Sequence, residues 1–154
     1  MYHSNMKSLA IFLLPLMISG FAQAQELPDA KGKDVTDKVC GACHEAGVVT
    51  KYHNNKDDWQ SIVEDMKSRG ADGSDDDFQT IVLYLTHFFG PEVNVNKATS
   101  KDLETQLEIT PKDAGAIVQY RQDHGTFKSF DDVKKVPGLD AKKIEPLRQR
   151  LVFN

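Results

Sequence analysis

The hydrophobic pattern along the chain is typical of helices, and alternating stretches typical of strands are hard to find. Between Asn55, which can cap a helix, and Gly70, which can end one, apolar residues recur at i, i+3, i+4 and i+7. A second stretch of this kind starts at Ser74 and ends where Gly90 and Pro91 interrupt it. The first half of the chain is therefore predicted to be all-α.

The last 60 or so residues predict four short helices. Three capping residues indicate helix starts. Thr99 and Ser129 are each followed three positions on by an aspartate, and Thr110 is followed directly by a proline. Gly125 supplies a stop, and Pro146 falls inside the last helix, where we expect it to cause a kink. The second half is therefore predicted to be all-α as well.

Charge divides the chain at the Gly-Pro step. Residues 25–90 hold 7 Lys and Arg against 13 Asp and Glu, a balance of −6, together with both cysteines and the single tryptophan. Residues 91–154 hold 11 basic against 10 acidic residues, a balance of +1. We expect two small domains, one over residues 25–90 and one over residues 91–154.

The N-terminus is typical of a secretory signal peptide. Lys7 precedes the apolar run "LAIFLLPLMISGF", and the run closes on "AQA" at residues 22–24, a small-x-small cleavage pattern. An uncleaved anchor is the alternative, but the run is short for a span of about 20 apolar residues and Pro15 interrupts it. Residues 1–24 are therefore predicted to be cleaved, which places the chain in the periplasm without a stable membrane anchor.

The stretch "VCGACHEAG" contains both cysteines, Cys40 and Cys43, with His44 directly after the second. A disulfide across two residues is strained, a redox pair favours a strand and turn around it, and a zinc site needs more ligands. The pattern C-x-x-C-H matches covalent attachment of haem c by two thioethers, with the histidine as the proximal ligand of the iron. The motif predicts one covalently bound haem.

The motif lies in a longer stretch that resembles monohaem class I cytochrome c domains. The similarity covers residues 30–90 and includes "GKDVTDKVCGACH", a spaced "W…V…M…G" and "IVLYLTHFFG". It is strongest with the small haem domains associated with periplasmic quinoprotein dehydrogenases. The resemblance implies an electron carrier without an enzymatic activity of its own. It also implies a periplasmic redox partner, such as a quinoprotein dehydrogenase or a terminal acceptor.

Three residues are candidates for the distal ligand of that iron: His53, Met66 and His87. Met66 lies on the same face of a predicted helix as Trp59. It is therefore a core methionine or, if the domain is built around haem, a residue of the haem pocket. The resemblance favours Met66 as the ligand and Trp59 as part of the haem pocket. His53 and His87 remain alternatives, and an open iron site would indicate a haem enzyme or a small-ligand sensor.

Residues 91–154 resemble the tandem helix-hairpin-helix domain of the competence protein ComEA, a periplasmic DNA receptor, and of the photosystem protein PsbU. The similarity includes "VNVNKAT", "AIVQYRQDHGTFKSFDDV" and "VPGL". In DNA-binding members, a Gly-hydrophobic-Gly hairpin lets backbone amides approach a phosphate. Here Glu108, Thr110 and Asp140 stand where glycines are expected. The candidate phosphate contacts that remain are Gly138, Lys142 and Lys143.

The sequence thus favours a periplasmic cytochrome c that carries single electrons, with a helix-hairpin-helix module that docks it on a protein partner. The near-neutral charge of residues 91–154 argues against strong DNA binding. The alternative is a ComEA-like DNA-binding or DNA-uptake protein that also carries a haem.

Overall fold

The computed structural model describes residues 26–154, and helices make up nearly all of its regular structure. The predicted signal peptide therefore lies outside the described residues. None of the helices within residues 26–154 is long and apolar enough to cross a membrane. In chain order the elements are α1 (Lys33–Gly41), a 3-10 helix (Ala46–Lys51), α2 (Lys56–Ser68), α3 (Asp75–Phe88), β1 (Val93–Asn94), α4 (Ser100–Leu107), α5 (Pro111–His124), α6 (Phe130–Val133), α7 (Ala141–Ile144), a second 3-10 helix (Glu145–Arg150) and β2 (Leu151–Val152).

Four helices begin at capping residues that the sequence indicates, and α6 begins after Ser129 as predicted but without a capping hydrogen bond from that side chain. The Asn55 side chain accepts a hydrogen bond from the backbone N–H of Asp58 at 3.0 Å, at the start of α2. Ser74 and Asp77 form a reciprocal capping box at the start of α3. A second box begins α4 at Thr99. Since each box satisfies backbone N–H groups that the first helical turn leaves unpaired, these short helices have defined starts.

The N-terminal segment (residues 26–90) is built around α3, which packs against α1 and α2. Its apolar stripe is almost fully buried: Ile81 is 1% exposed and Leu85 is 2% exposed. The hydroxyl of Tyr84 donates to the carbonyl of Pro28 at 2.7 Å, which fixes the chain that leads into α1. The α3 helix is therefore the core element of this segment.

The C-terminal segment (residues 91–154) contains the short strands that the sequence did not predict. β1 pairs with β2 in parallel, so the two ends of the segment lie side by side. The Asn96 amide donates to the carbonyls of Phe127 and Phe153 at 2.9 and 3.0 Å and accepts from the Phe127 N–H at 2.8 Å. The asparagines of "VNVN" thus close this segment by polar contacts, while Val93 and Val95 are buried.

Arg150 joins the two segments. Its side chain is buried, and it donates to the carbonyls of His87 at 2.7 Å, Gln106 at 2.7 Å and Pro91 at 3.2 Å. These carbonyls come from the end of α3, from α4 and from the connection between the segments. Burial lowers the pKa of Arg150, and the carboxylate of Glu108 offsets part of that effect. The end of α3 is therefore held against the end of α4.

Candidate functional site

A cavity of about 660 Å³ opens beside α1, α2 and α3 in the N-terminal segment, and its walls are mostly apolar. Five of the residues predicted as site residues line this cavity: Cys40, Cys43, His44, Trp59 and Met66. The structure therefore brings together these residues, which come from two separate stretches of the sequence.

The thiols differ in their surroundings. Cys40 is half-buried, and burial, with a smaller contribution from the carboxylate of Asp37, raises the pKa of its thiol. Cys43 is exposed. His44 is exposed as well, and its Nδ1 lies 3.1 Å from the carbonyl oxygen of its neighbour Glu45. A raised pKa keeps the Cys40 thiol protonated at neutral pH, which lowers its reactivity.

Trp59 is part of the core as well as of the cavity wall. Its side chain is 1% exposed, and its indole N–H donates to the carbonyl of Phe89 at 3.0 Å. The two alternative distal histidines do not line the cavity. His53 Nδ1 lies 3.3 Å from the carbonyl of Gly90, and His87 Nδ1 lies 2.6 Å from the carboxylate of Glu108. Both histidines thus contact the junction between the segments.

The second candidate site consists of two hairpins in the C-terminal segment. Hairpin 1 (residues 107–110) joins α4 to α5, and hairpin 2 (residues 137–140) joins α6 to α7. Each has one residue at positive φ: Glu108 at +54° and Gly138 at +77°. Each ends on a residue whose side chain caps the next helix, Thr110 in hairpin 1 and Asp140 in hairpin 2. The two hairpins thus share a residue at positive φ and a capping residue two positions later, and the capping role explains why neither ends on glycine.

Hairpin 2 presents its backbone to solvent. Gly138 is exposed, and a β-carbon at this position would meet no atom within 4 Å. Within residues 26–154 the amides of Gly138 and Asp140 donate no hydrogen bond to the protein. Lys142 and Lys143 are exposed on the adjoining helix, and neither forms an ion pair with a described residue. The hairpin and the start of α7 thus bring two backbone donors and two ammonium groups within six residues of each other.

Hairpin 1 is engaged within the protein. The carboxylate of Glu108 lies 2.6 Å from Nδ1 of His87, at the end of α3. The sequence indicated Glu108 only as a departure from glycine and His87 only as an alternative iron ligand. The pairing joins residues 21 positions apart across the two segments. It had no local signal in the sequence because nothing near either residue specifies the other.

Comparison with known proteins identifies the C-terminal segment. Residues 90–152 match the family model described as a helix-hairpin-helix motif. This part of the chain is therefore a helix-hairpin-helix domain, as its resemblance to ComEA predicted. No solved structure matches the chain significantly.

The relatives share this domain. ComE operon protein 1 of Bacillus subtilis is 34% identical over 62 residues, which cover 40% of this chain and 30% of the relative. An uncharacterized protein of Haemophilus influenzae is 36% identical over 63 residues, 40% of this chain and 56% of the relative. The Endonuclease/exonuclease/phosphatase family domain-containing protein 1 of Bos taurus is 36% identical over 61 residues, 40% of this chain and 11% of the relative. The chain thus spans less than two thirds of each of these proteins.

These findings correct the main functional interpretation of the sequence. The matches support a ComEA-like helix-hairpin-helix protein, and they do not support an electron-carrying cytochrome c. Among residues 26–154, no three or more His, Cys, Asp and Glu side chains are grouped so that they could hold a metal ion. The predicted haem c cofactor and the docking role for residues 91–154 are therefore overturned. The alternative, a DNA-binding protein of the ComEA type, is better supported.

Proposed function

We propose that this chain is an exported DNA-binding protein whose helix-hairpin-helix domain contacts the phosphate backbone of duplex DNA without reading its base sequence. The observation that carries the proposal is the geometry of hairpin 2 in a domain that matches the helix-hairpin-helix family. The resemblance to ComEA supports DNA as the ligand. The role is one of binding, and it requires no catalytic step.

The backbone of hairpin 2 suits a phosphate. Gly138 is exposed and at φ +77° takes a conformation that a side chain disfavours, and the amides of Gly138 and Asp140 donate no hydrogen bond within residues 26–154. Amides that donate no internal hydrogen bond can donate to a phosphate oxygen, as happens at many helix starts. Lys142 and Lys143, both exposed in α7 directly after the hairpin, add positive charge that attracts phosphate. Hairpin 2 therefore combines directional donors with charge.

The charge distribution favours approach to DNA from the C-terminal segment. This segment has a balance of +1, whereas residues 25–90 carry −6. A duplex is repelled by the acidic segment and is attracted only locally at exposed lysines. We therefore expect weak, salt-sensitive binding in the range for contacts without base readout, about 10⁻⁴ to 10⁻⁶ M at physiological salt. Export, which the signal-like residues 1–24 predict, places the DNA outside the cytoplasm.

Fluorescence anisotropy with a labelled duplex of about 30 base pairs tests the proposal. The full chain should bind saturably at 50 mM salt, bind two unrelated duplexes equally, and weaken by about one power of ten or more at 200 mM salt. The double substitution Lys142→Glu and Lys143→Glu should abolish the binding. A chain that shows no saturable binding at 50 mM salt would overturn the proposal.

A control substitution has to distinguish contact at hairpin 2 from an effect of the net charge of the chain. Lys101 is exposed at the start of α4, at the opposite end of that helix from hairpin 1. Substituting Lys101→Glu together with Lys97→Glu reverses the same number of charges away from hairpin 2. This control should weaken binding less than twofold, because long-range charge contributes less than direct phosphate contact. Equal weakening by both pairs would show that the binding follows net charge alone.

A further inference from the structure

Glu108 occupies an unusual backbone conformation. It is the one residue other than glycine at positive φ within residues 26–154, and it stands at the position that Gly138 holds in hairpin 2. Side chains disfavour this conformation, so a glutamate there needs an offsetting interaction. The contact between the Glu108 carboxylate and Nδ1 of His87, at 2.6 Å, provides one. The glutamate that stands in place of the expected glycine therefore contacts the N-terminal segment.

Arg150 makes a second contact between the end of α3 and the chain next to hairpin 1. Arg150 donates to the carbonyl of Gln106, one residue before hairpin 1, and to the carbonyl of His87. The imidazole of His87 also packs edge-on against the ring of Phe88, with 4.5 Å between ring centroids. Hairpin 1 is thus fixed beside the acidic segment by the contact between Glu108 and His87 and by the buried guanidinium of Arg150. Among the described residues, no hydrogen bond or ion pair joins hairpin 2 to α3.

We propose that Glu108 makes hairpin 1 an anchor for the N-terminal segment and excludes DNA phosphate from it, so that a duplex is contacted through hairpin 2 alone. The inference rests on the proposed function, since it specifies which hairpin of the domain binds. A carboxylate at position 108 repels a phosphate at close range, whereas Gly138 carries no side chain at the equivalent position. The one carboxylate of hairpin 2, that of Asp140, accepts a hydrogen bond from the backbone N–H of Lys142 as the cap of α7. The two hairpins, which share a residue at positive φ and a capping residue, therefore have different roles.

The chain offers a matched pair of residues for a test. Lys112 and Lys142 each stand four residues after the residue at positive φ, one in each hairpin motif. Both are exposed, and neither forms an ion pair with a described residue. Reversal of either charge changes the net charge of the chain equally. A difference in effect then reports which hairpin touches DNA.

The experiment compares duplex affinity for the full chain at 50 mM salt and the dependence of that affinity on salt. Lys142→Glu should weaken binding by about fivefold or more and lower the salt slope by about one unit. Lys112→Glu should weaken binding less than twofold. Glu108→Gly should strengthen binding by about three- to tenfold, and Lys112→Glu should then cancel that gain when it is added to Glu108→Gly.

Glycine suits the positive φ of position 108, so Glu108→Gly is expected to fold, and circular dichroism checks this. Glu108→Gln, which removes the charge alone, should give an intermediate gain. Equal loss from Lys112→Glu and Lys142→Glu in the wild-type background would overturn the inference while leaving DNA binding intact. An absence of binding in the wild type and in Glu108→Gly would overturn the proposed function, and this inference with it.

Discussion

The guanidinium of Arg150 lies directly over the α-carbon of Gly90. A β-carbon at position 90 would come 2.9 Å from Cζ and Nη2 of Arg150, and closer still to the carbonyl oxygen of Thr86. Glycine is therefore required where the N-terminal segment ends, because its lack of a side chain lets the arginine reach the carbonyls of His87 and Pro91. The family match begins at this same residue.

Gly90→Ala should destabilise the protein. The added methyl group meets backbone at Thr86 and a side chain that three hydrogen bonds hold in place, so neither neighbour can move aside freely. We expect a loss of about 1 to 3 kcal/mol in the free energy of unfolding, as for overpacking in a core. Urea denaturation measures the loss.

The control for this substitution is Gly115→Ala, within α5. A β-carbon there would meet no atom within 4 Å, so alanine should raise the free energy of unfolding by about 0.5 to 1 kcal/mol through helix propensity. If Gly90→Ala were as well tolerated as Gly115→Ala, that result would contradict the close approach of Arg150 to position 90.

Arg150→Lys should be costly although it conserves charge. A guanidinium reaches three carbonyls in separate directions, and an ammonium on a shorter side chain leaves at least one of them without its donor. A buried polar group without a partner costs about 1 to 3 kcal/mol, which thermal or urea denaturation would detect.

Arg148→Lys supplies the comparison. Arg148 is exposed, forms a 3.5 Å ion pair with Glu145 and lies 5.8 Å from the centroid of the Phe130 ring, so its replacement by another cation should change the free energy of unfolding by less than about 1 kcal/mol. The described role of Arg150 would be contradicted if the two substitutions had equal effects.

The capping carboxylates should make the protein sensitive to acid. Hydrogen bonds from the backbone N–H and the hydroxyl of Ser74 hold the pKa of Asp77 below its ordinary value. A carboxyl whose pKa is lower in the folded state stabilises that state above the unfolded pKa, about 3.9, and the stabilisation is lost as pH falls through the folded value. The urea midpoint should therefore be constant from pH 7 to pH 5 and should decrease below about pH 4.

Asp77→Asn keeps a hydrogen-bond acceptor and removes the titration, so it should make the decrease below pH 4 shallower. Asp76→Asn, in the same helical turn, is the matched control, because Asp76 accepts no hydrogen bond from a described residue. If the urea midpoints of the wild type and Asp77→Asn decreased identically below pH 4, the capping box of Ser74 and Asp77 would not be the source of the sensitivity to acid.

The helices were predictable because their signals are local. Asn55, Ser74, Thr99 and Thr110 each act within three residues of themselves, and the structure confirms all four caps. The resemblance of residues 91–154 to a helix-hairpin-helix domain was confirmed for the same reason, since it rests on a long stretch of matching residues.

The junction was not predictable. Burial of Arg150 depends on carbonyls up to 63 positions away, and no pattern near "LRQR" specifies them. The paired strands β1 and β2 have only two residues each, which is too short for an alternating pattern in the sequence. The haem prediction rested largely on a five-residue motif, which says little about the rest of the chain, and the comparisons support the alternative function.

The central claim, that hairpin 2 is the surface that contacts DNA, is tested most directly by nuclear magnetic resonance of the ¹⁵N-labelled full chain during titration with a short duplex. We expect the amide signals of Gly138 and Asp140, which donate no hydrogen bond within residues 26–154, to shift first, and the signals from hairpin 1 and from the cavity around Trp59 to stay in place. Shifts confined to hairpin 1 or to the cavity, or no shifts at 50 mM salt, would contradict it.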